Sequence, residues 1–200
     1  MDGTAIPSPA TLPSRVAMLG AAPGTPWAAC AEAARGFGLG LILRGLQRGQ
    51  AVLIAAREPA MWLPFALGAL GAGAVLQGAN ADPARCAVVL TDDAGRFAAN
   101  PAWPQLLAVV APARLAGLPR TQTLPELLAL GSAVHGLDPG MWAECLADLR
   151  ATAPALGTLN HGACAAALAG SLAAPEQLAS GLAKLLSHAS LPENQGRQAP

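Results

Sequence analysis

Short apolar segments recur along the first part of this chain, and helix-like segments separate them. The clearest is QAVLIAA at residues 50–56, a run with β-branched members that suits a strand covered on both faces. Similar runs follow in AVLQGAN, at about residues 86–91 and at about residues 106–111. Strands that alternate with helices at short spacing pair in parallel through right-handed crossovers. The pattern therefore predicts an α/β fold with a mainly parallel β-sheet flanked by helices.

Helix-start signals lie before, between and after these runs. Thr25 can cap a helix whose first turn accepts Pro26, and a second helix is expected to start near Pro59. Thr123 and Glu126 have the spacing of a capping box. The alternating glycines of GFGLGLILRG lie inside a helical pattern and follow no strand, so they indicate close helix packing rather than a nucleotide-binding turn.

The domain organisation follows from these segments. We expect a flexible leader at residues 1–14 and a single α/β domain at residues 15–190. Within that domain, the α/β core covers about residues 25–115, and residues 120–190 are mostly helical with one weak strand in ALGTL. The polar residues 191–200 are expected to form a disordered tail.

Charged residues make up only 12% of the chain, about half the usual share. Twelve basic residues balance twelve acidic ones, so the composition predicts no binding to nucleic acid. Residues 59–81 carry no charge, but this window contains Pro64 and several glycines. A buried helix, turn and strand explain it better than a transmembrane segment, and none is expected.

Residues with chemical potential are scattered. The four cysteines lack CxxC spacing and are expected to be reduced, mostly buried thiols of a cytoplasmic protein. The three histidines form no HxH or HExxH pattern, so no metal site is expected. Asp92 and Asp93 follow a strand and are best interpreted as a solvated turn or helix cap. No serine-nucleophile elbow is present, and we expect no catalytic residue.

In order and spacing, the segments resemble the N-terminal part of the AMP-forming acyl-CoA synthetases, most closely the long-chain fatty acid branch of the adenylate-forming superfamily. The resemblance covers roughly residues 10–170 and is carried by WAACAEAARGFGLGLILRGLQRGQAVLIAAREPAMWLPFALGALGAGAV, ARCAVVLTDD, LLAVVAP, TLPELLALGSAVHGLDPGMWAECLADLR and TLNHG. It implies a truncated N-terminal subdomain of the adenylate-forming fold.

The resemblance breaks at one place that matters for catalysis. The family places a loop of the form YTSGTTGxPKG, followed by L(T/S)HxN, after a segment like LADLR. Here ATAPALG stands where that loop belongs, and TLNHG resumes the pattern. Thr158, Asn160 and His161 are therefore the vestigial candidates for a nucleotide or acyl pocket, and His161 falls on the family histidine. Gly49-Gln50 replaces the family's Gly-Asp, and Arg57-Glu58 replaces its Asn region.

The missing loop decides the expected function. Adenylation develops charge that backbone donors, hydroxyls, a lysine and magnesium must stabilise. We expect a truncated synthetase-like protein that is catalytically silent alone and acts as an interaction or binding module, with a protein partner or a homo-oligomer formed through exposed apolar surface. The isolated chain then needs no cofactor.

Three alternatives stay open. In the first, the chain is a subunit that complements a separately encoded ligase half, and ATP, Mg and CoA are then required. In the second, it is a carrier that holds an acyl chain between helices lined by alanine and glycine. In the third, it is a remnant without a selected function.

Overall fold

The computed structural model describes residues 10–93, 97, 105–114 and 120–188. Within them the chain forms seven α-helices and seven β-strands. The helices are α1 (Leu12–Gly20), α2 (Pro26–Leu43), α3 (Pro59–Gly71), α4 (Leu124–Leu137), α5 (Met141–Ala147), α6 (His161–Ala167) and α7 (Pro175–His188). The strands are β1 (Ala51–Ala55), β2 (Val75–Gly78), β3 (Val88–Thr91), β4 (Ala108–Ala111), β5 (Thr121–Thr123), β6 (Pro154–Leu156) and β7 (Leu159–Asn160). Short 3₁₀ turns occur at Pro83–Arg85 and Ala169–Ser171.

The strands form one sheet in the order β5-β4-β3-β1-β2-β6-β7. Every neighbouring pair from β5 to β6 is parallel, and only the last pair, β6 with β7, is antiparallel. The predicted α/β class with a mainly parallel sheet is confirmed. The chain places β2 on one side of β1 and β3 on the other, so the strand order reverses at the centre of the sheet.

The position of β1 at the centre of the sheet explains its continuous apolar sequence. Val52 and Ile54 pack into the main core cluster on the helical side of the sheet. Leu53 packs into a second, smaller cluster with Val89 and Val109 on the opposite side. Both faces of β1 are therefore covered, and alternating polar residues would have left unpaired groups in one of the two cores.

Glycines bring three helices into close contact. A β-carbon on Gly68 of α3 would lie 2.7 Å from the backbone nitrogen of Gly38 in α2. A β-carbon on Gly40 of α2 would lie 2.5 Å from the carbonyl oxygen of Leu127 in α4. The prediction that the glycines of α2 permit close packing is confirmed.

The start of the chain differs from the expected flexible leader. Helix α1 begins at Leu12, inside the segment assigned to residues 1–14, and the side chains of Leu12 and Ser14 are buried. The hydroxyls of Thr11 and Ser14 are 2.7 Å apart and are both buried. The cause is tertiary, because Leu12 and Val16 belong to the main core cluster. Residues 1–9 and the predicted tail at 191–200 lie outside the described residues.

The sheet also extends beyond the predicted boundary at about residue 115. Strand β5 had no apolar signal, since its sequence is TQT, and it joins the sheet only by pairing with β4. The weak strand predicted in ALGTL is two short strands, β6 and β7. The capping box of Thr123 and Glu126 is present, whereas the hydroxyl of Thr25 donates to the carbonyls of Leu19 and Ala22 instead of capping α2.

The uncharged window at residues 59–81 forms α3, a turn and β2, as predicted. In the part of the chain that the structure describes, none of the helices has the length and apolarity required to cross a bilayer.

Candidate functional site

The segment that replaces the expected phosphate-binding loop is a tight hairpin. Gly157 and Thr158 are the only residues between β6 and β7. Gly157 has φ of 53°, a conformation that suits glycine in a two-residue hairpin turn. Its amide donates to the carbonyl oxygen of Leu76 at 3.3 Å, which ties the turn to β2. The side chain of Thr158 is exposed.

Asn160 serves the backbone of the next helix. Its side-chain oxygen accepts a hydrogen bond from the amide of Ala163 at 2.8 Å and so caps α6. An N-cap side chain satisfies one of the amides that have no partner inside the helix. The carboxamide oxygen of Asn160 is therefore already used to cap α6.

His161 opens α6 and is buried, with 1% of its surface exposed. Among the residues that the structure describes, neither ring nitrogen, Nδ1 or Nε2, has a hydrogen-bond partner. Desolvation lowers the pKa of His161 to about 4 from an ordinary value of 6.5, so the ring is neutral at physiological pH. Cys164, one helical turn later, is also buried, and burial raises the pKa of its thiol to about 11.

The three predicted residues thus have three separate roles in a turn, a cap and a core. Thr158, Asn160 and His161 line none of the clefts described below.

The structure places a more open region at the carboxyl ends of β1 and β2. A cleft of about 450 Å³ lies between the start of α3 and α7, and an adjoining cleft of about 240 Å³ reaches Asn80 after β2. Both are lined by Arg57, Trp62 and Ala183. Parallel α/β sheets bind ligands outside the carboxyl ends of their strands, so this is the expected side for a small-molecule site.

The first of these clefts has both charged and apolar residues in its lining. Its polar lining includes Arg57, Glu58, Glu176 and Ser180, with the indole of Trp62 on the wall. Among the described residues, no group of three or more His, Cys, Asp or Glu side chains could hold a metal ion. In the sequence, Arg57 and Glu58 stand out only as departures from a family pattern. The sequence feature that could have identified them as site residues is their position directly after strand β1.

The aspartate pair after β3 forms a turn, as predicted. Asp92 accepts a hydrogen bond from the amide of Arg57 at 3.0 Å and so links the carboxyl ends of β1 and β3. The hydroxyl of Thr91 accepts from the amide of Asp93 at 3.0 Å. These contacts shape the loop at the centre of the sheet edge.

The four cysteines are free thiols, as predicted, and only Cys145 is half-buried. Burial raises the pKa of Cys30 and Cys86 to about 11. A thiol with such a pKa is protonated near neutrality and is a poor nucleophile. These side chains pack as small apolar groups.

Comparison with known proteins adds no assignment. No protein-family model matches this chain, and no curated protein matches it. The resemblance to acyl-CoA synthetases therefore depends on the residues and segments quoted above.

Proposed function

We propose that this chain is a catalytically silent relative of the N-terminal part of the AMP-forming acyl-CoA synthetases and works as an interaction module. The observation that carries this proposal is the two-residue turn, Gly157 and Thr158, at the position where the resembled family has its phosphate-binding loop. A turn this short offers few donors, and the amide of Gly157 is already bonded to Leu76.

The loss of transition-state stabilisation favours a chain that does not catalyse adenylation by itself. Removing a single preorganised donor from an active site costs about 2.7 to 4 kcal/mol of transition-state stabilisation. A loop of amides, hydroxyls and a lysine supplies several such donors, and neither Asn160 nor His161 replaces them. Asn160 caps a helix, and the ring of His161 is buried without contact to solvent.

The test is exchange of labelled pyrophosphate into ATP in the presence of magnesium and fatty acids of varied length. This assay detects reversible adenylate formation and needs no CoA. We expect no exchange above the rate without protein, while a synthetase assayed in parallel gives a clear signal. Exchange that depends on both the fatty acid and the chain would refute the proposal that the chain is catalytically silent.

The surface best suited to the interaction lies at the end of α1. Met18 is 52% exposed and Leu19 is 38% exposed, although both are apolar. They stand beside a cleft of about 420 Å³ that includes neighbouring residues of α1 and the ring of Trp142. Exposed apolar side chains that adjoin such a cleft are typical of protein-binding surfaces.

The occupant that fits this surface is a second copy of the chain. The cleft carries both an acid, Glu32, and a base, Arg35. In a twofold-symmetric interface, each surface meets its own copy, so Glu32 of one subunit can face Arg35 of the other. The formal net charge of zero also leaves little electrostatic repulsion between copies.

Sedimentation equilibrium tests this assignment. We expect a dimer in the wild type and a monomer in Met18→Lys/Leu19→Lys, because each lysine would bring an unpaired charge into the interface. Leu43→Lys is the matched control, since Leu43 is also exposed, at 57%, but lies at the far end of α2. A monomeric wild type, or a dimer that survives the double substitution, would contradict the assignment.

The open carboxyl edge of the sheet favours a second candidate function. Arg57 and Asn80 line clefts there, and another polypeptide could complete a site with them. In that case the chain is a subunit of a split acyl-CoA ligase. Acyl-CoA formation by a mixture with a separately encoded ligase half, and by neither component alone, would establish this candidate in place of the first.

A further inference from the structure

Arg44 and two arginines that lie about 70 residues later in the sequence, Arg114 and Arg120, line one cleft near the sheet edge opposite the hairpin strand β7. Arg44 follows α2, Arg114 follows β4, and Arg120 precedes the edge strand β5. The cleft has a volume of about 500 Å³, within the range of small-molecule sites. The other described residues that line it are Leu107, Ala108, Thr121, Gln122, Glu126 and Leu130.

The cleft is strongly positive for this protein. Among the described residues that line it, Glu126 is the only acid, so three arginines against one glutamate leave two positive charges. The backbone hydrogen bond from Thr123, followed by that from Arg114, lowers the pKa of Glu126 to about 2, so the carboxylate stays ionised. The whole chain has equal numbers of acidic and basic residues, and this cleft therefore concentrates positive charge that the composition does not reveal.

Two of the arginines are held in place and still have free donors. Arg114 donates from one terminal nitrogen to Glu126 at 2.7 Å, and Arg120 donates from one terminal nitrogen to the carbonyl oxygen of Leu106. Within the described residues, the guanidinium of Arg44 has no hydrogen-bond or ion-pair partner. Each guanidinium carries five N–H donors, so most donors of the three remain uncommitted.

We propose that this arginine cleft binds a small multivalent oxyanion, either a phosphate compound or a polycarboxylate. Planar guanidinium groups bind both kinds of oxyanion through paired hydrogen bonds. Anchoring of Arg114 and Arg120 at one nitrogen reduces the rotamer entropy that binding would cost. The 14-residue helix α4 begins beside the cleft, and its dipole adds to the favourable potential for an anion.

Calorimetric titration with pyrophosphate and with citrate, without magnesium and at low salt, tests the proposal. We expect saturable binding of at least one probe, and affinity that decreases as sodium chloride is added. Binding of pyrophosphate alone assigns the site to phosphate compounds, and binding of citrate alone assigns it to polycarboxylates. Absence of binding by both probes overturns the proposal.

Two substitutions locate the site. Arg44→Gln and Arg120→Gly should each weaken binding by about tenfold or more, as expected for loss of a charge-assisted contact. Arg120 has φ of 54°, so glycine removes the guanidinium while it also suits the backbone, which protects against loss of folding. Arg150→Gln is the control, because Arg150 is exposed and lies outside the cleft. Equal weakening in all three variants would show unspecific anion binding and refute the site.

This inference is independent of the proposed function. Pyrophosphate bound in the arginine cleft does not exchange into ATP, so the exchange assay and the titration can fail or succeed separately.

Discussion

Gly131 of α4 lies directly against the carbonyl oxygen of Gly36 in α2, with no space for a β-carbon between the two helices. A β-carbon on Gly131 would overlap that oxygen and would lie 2.8 Å from the backbone nitrogen of Gly40. The obstacle is backbone rather than a flexible side chain, so it cannot move aside without separating α2 from α4. This contact fixes the distance between the two helices.

Substitution of Gly131 therefore tests the helix packing. Gly131→Ala should lower the free energy of unfolding by about 1 to 3 kcal/mol, the range found for overpacked cores. Gly136→Ala is the matched control in the same helix, because its β-carbon would meet nothing within 4 Å. The control should gain up to about 1 kcal/mol from helix propensity. Denaturant unfolding measures both values, and a neutral Gly131→Ala would contradict the packing.

Replacement of Gln77 by an apolar residue should stabilise the folded protein. Gln77 lies on β2 in register with Leu53, and its exposure is 0%. Neither Oε1 nor Nε2 has a hydrogen-bond partner in the described part of the chain. Gln77→Met keeps the shape and removes the unsatisfied amide, so unfolding should become more costly by about 1 to 3 kcal/mol. Gln47→Met, at an exposed position, should change stability little. A destabilised Gln77→Met protein would indicate that the amide has a partner in solution.

His161 makes stability dependent on pH. Its pKa is about 4 in the folded chain against an ordinary value of 6.5, so the unfolded chain binds the proton more readily. The free energy of unfolding should therefore decrease as the pH falls from 6.5 toward 4 and then level off with respect to this group. His161→Leu should remove this part of the pH dependence. The measurement is the denaturation midpoint of both proteins across this window.

The contribution of Glu126 to stability changes in a lower pH window than that of His161, so the two contributions can be measured separately. Its pKa is lowered to about 2 from 4.5, so its stabilising contribution is present above pH 4.5 and is lost as the pH falls toward 2. If His161→Leu retains the full pH dependence between 6.5 and 4, the buried neutral imidazole is not its source.

Two variants of the hairpin between β6 and β7 separate the backbone requirement at Gly157 from the contribution of Thr158, one of the vestigial candidates for a nucleotide or acyl pocket. Gly157 requires a positive φ, whereas the side chain of Thr158 is exposed. Gly157→Ala should destabilise the protein by about 1 kcal/mol, because alanine is strained in this conformation. Thr158→Ala should change stability by less than about 0.5 kcal/mol. Thermal unfolding of the two variants compares them, and a larger loss in Thr158→Ala would assign that hydroxyl a structural partner.

The sequence by itself determined the strands β1 to β4, the helices α2 to α4, the mostly helical part that follows them, and the parallel arrangement of the strands β1 to β4. Each of these depends on local information, such as the apolar run around Leu53, the first-turn prolines Pro26 and Pro59, and the capping box of Thr123. Local propensity and periodicity act over a few residues, so they can be read without knowledge of distant contacts.

Only the tertiary structure decided the remaining features. Strand β5 has a polar sequence and exists through pairing with β4, and α1 is ordered because Leu12 joins a distant core. The burial of His161 and the meeting of Arg44, Arg114 and Arg120 depend on chain segments far apart in sequence. Burial and electrostatic potential are properties of the packed arrangement, and no spacing along the chain encodes them.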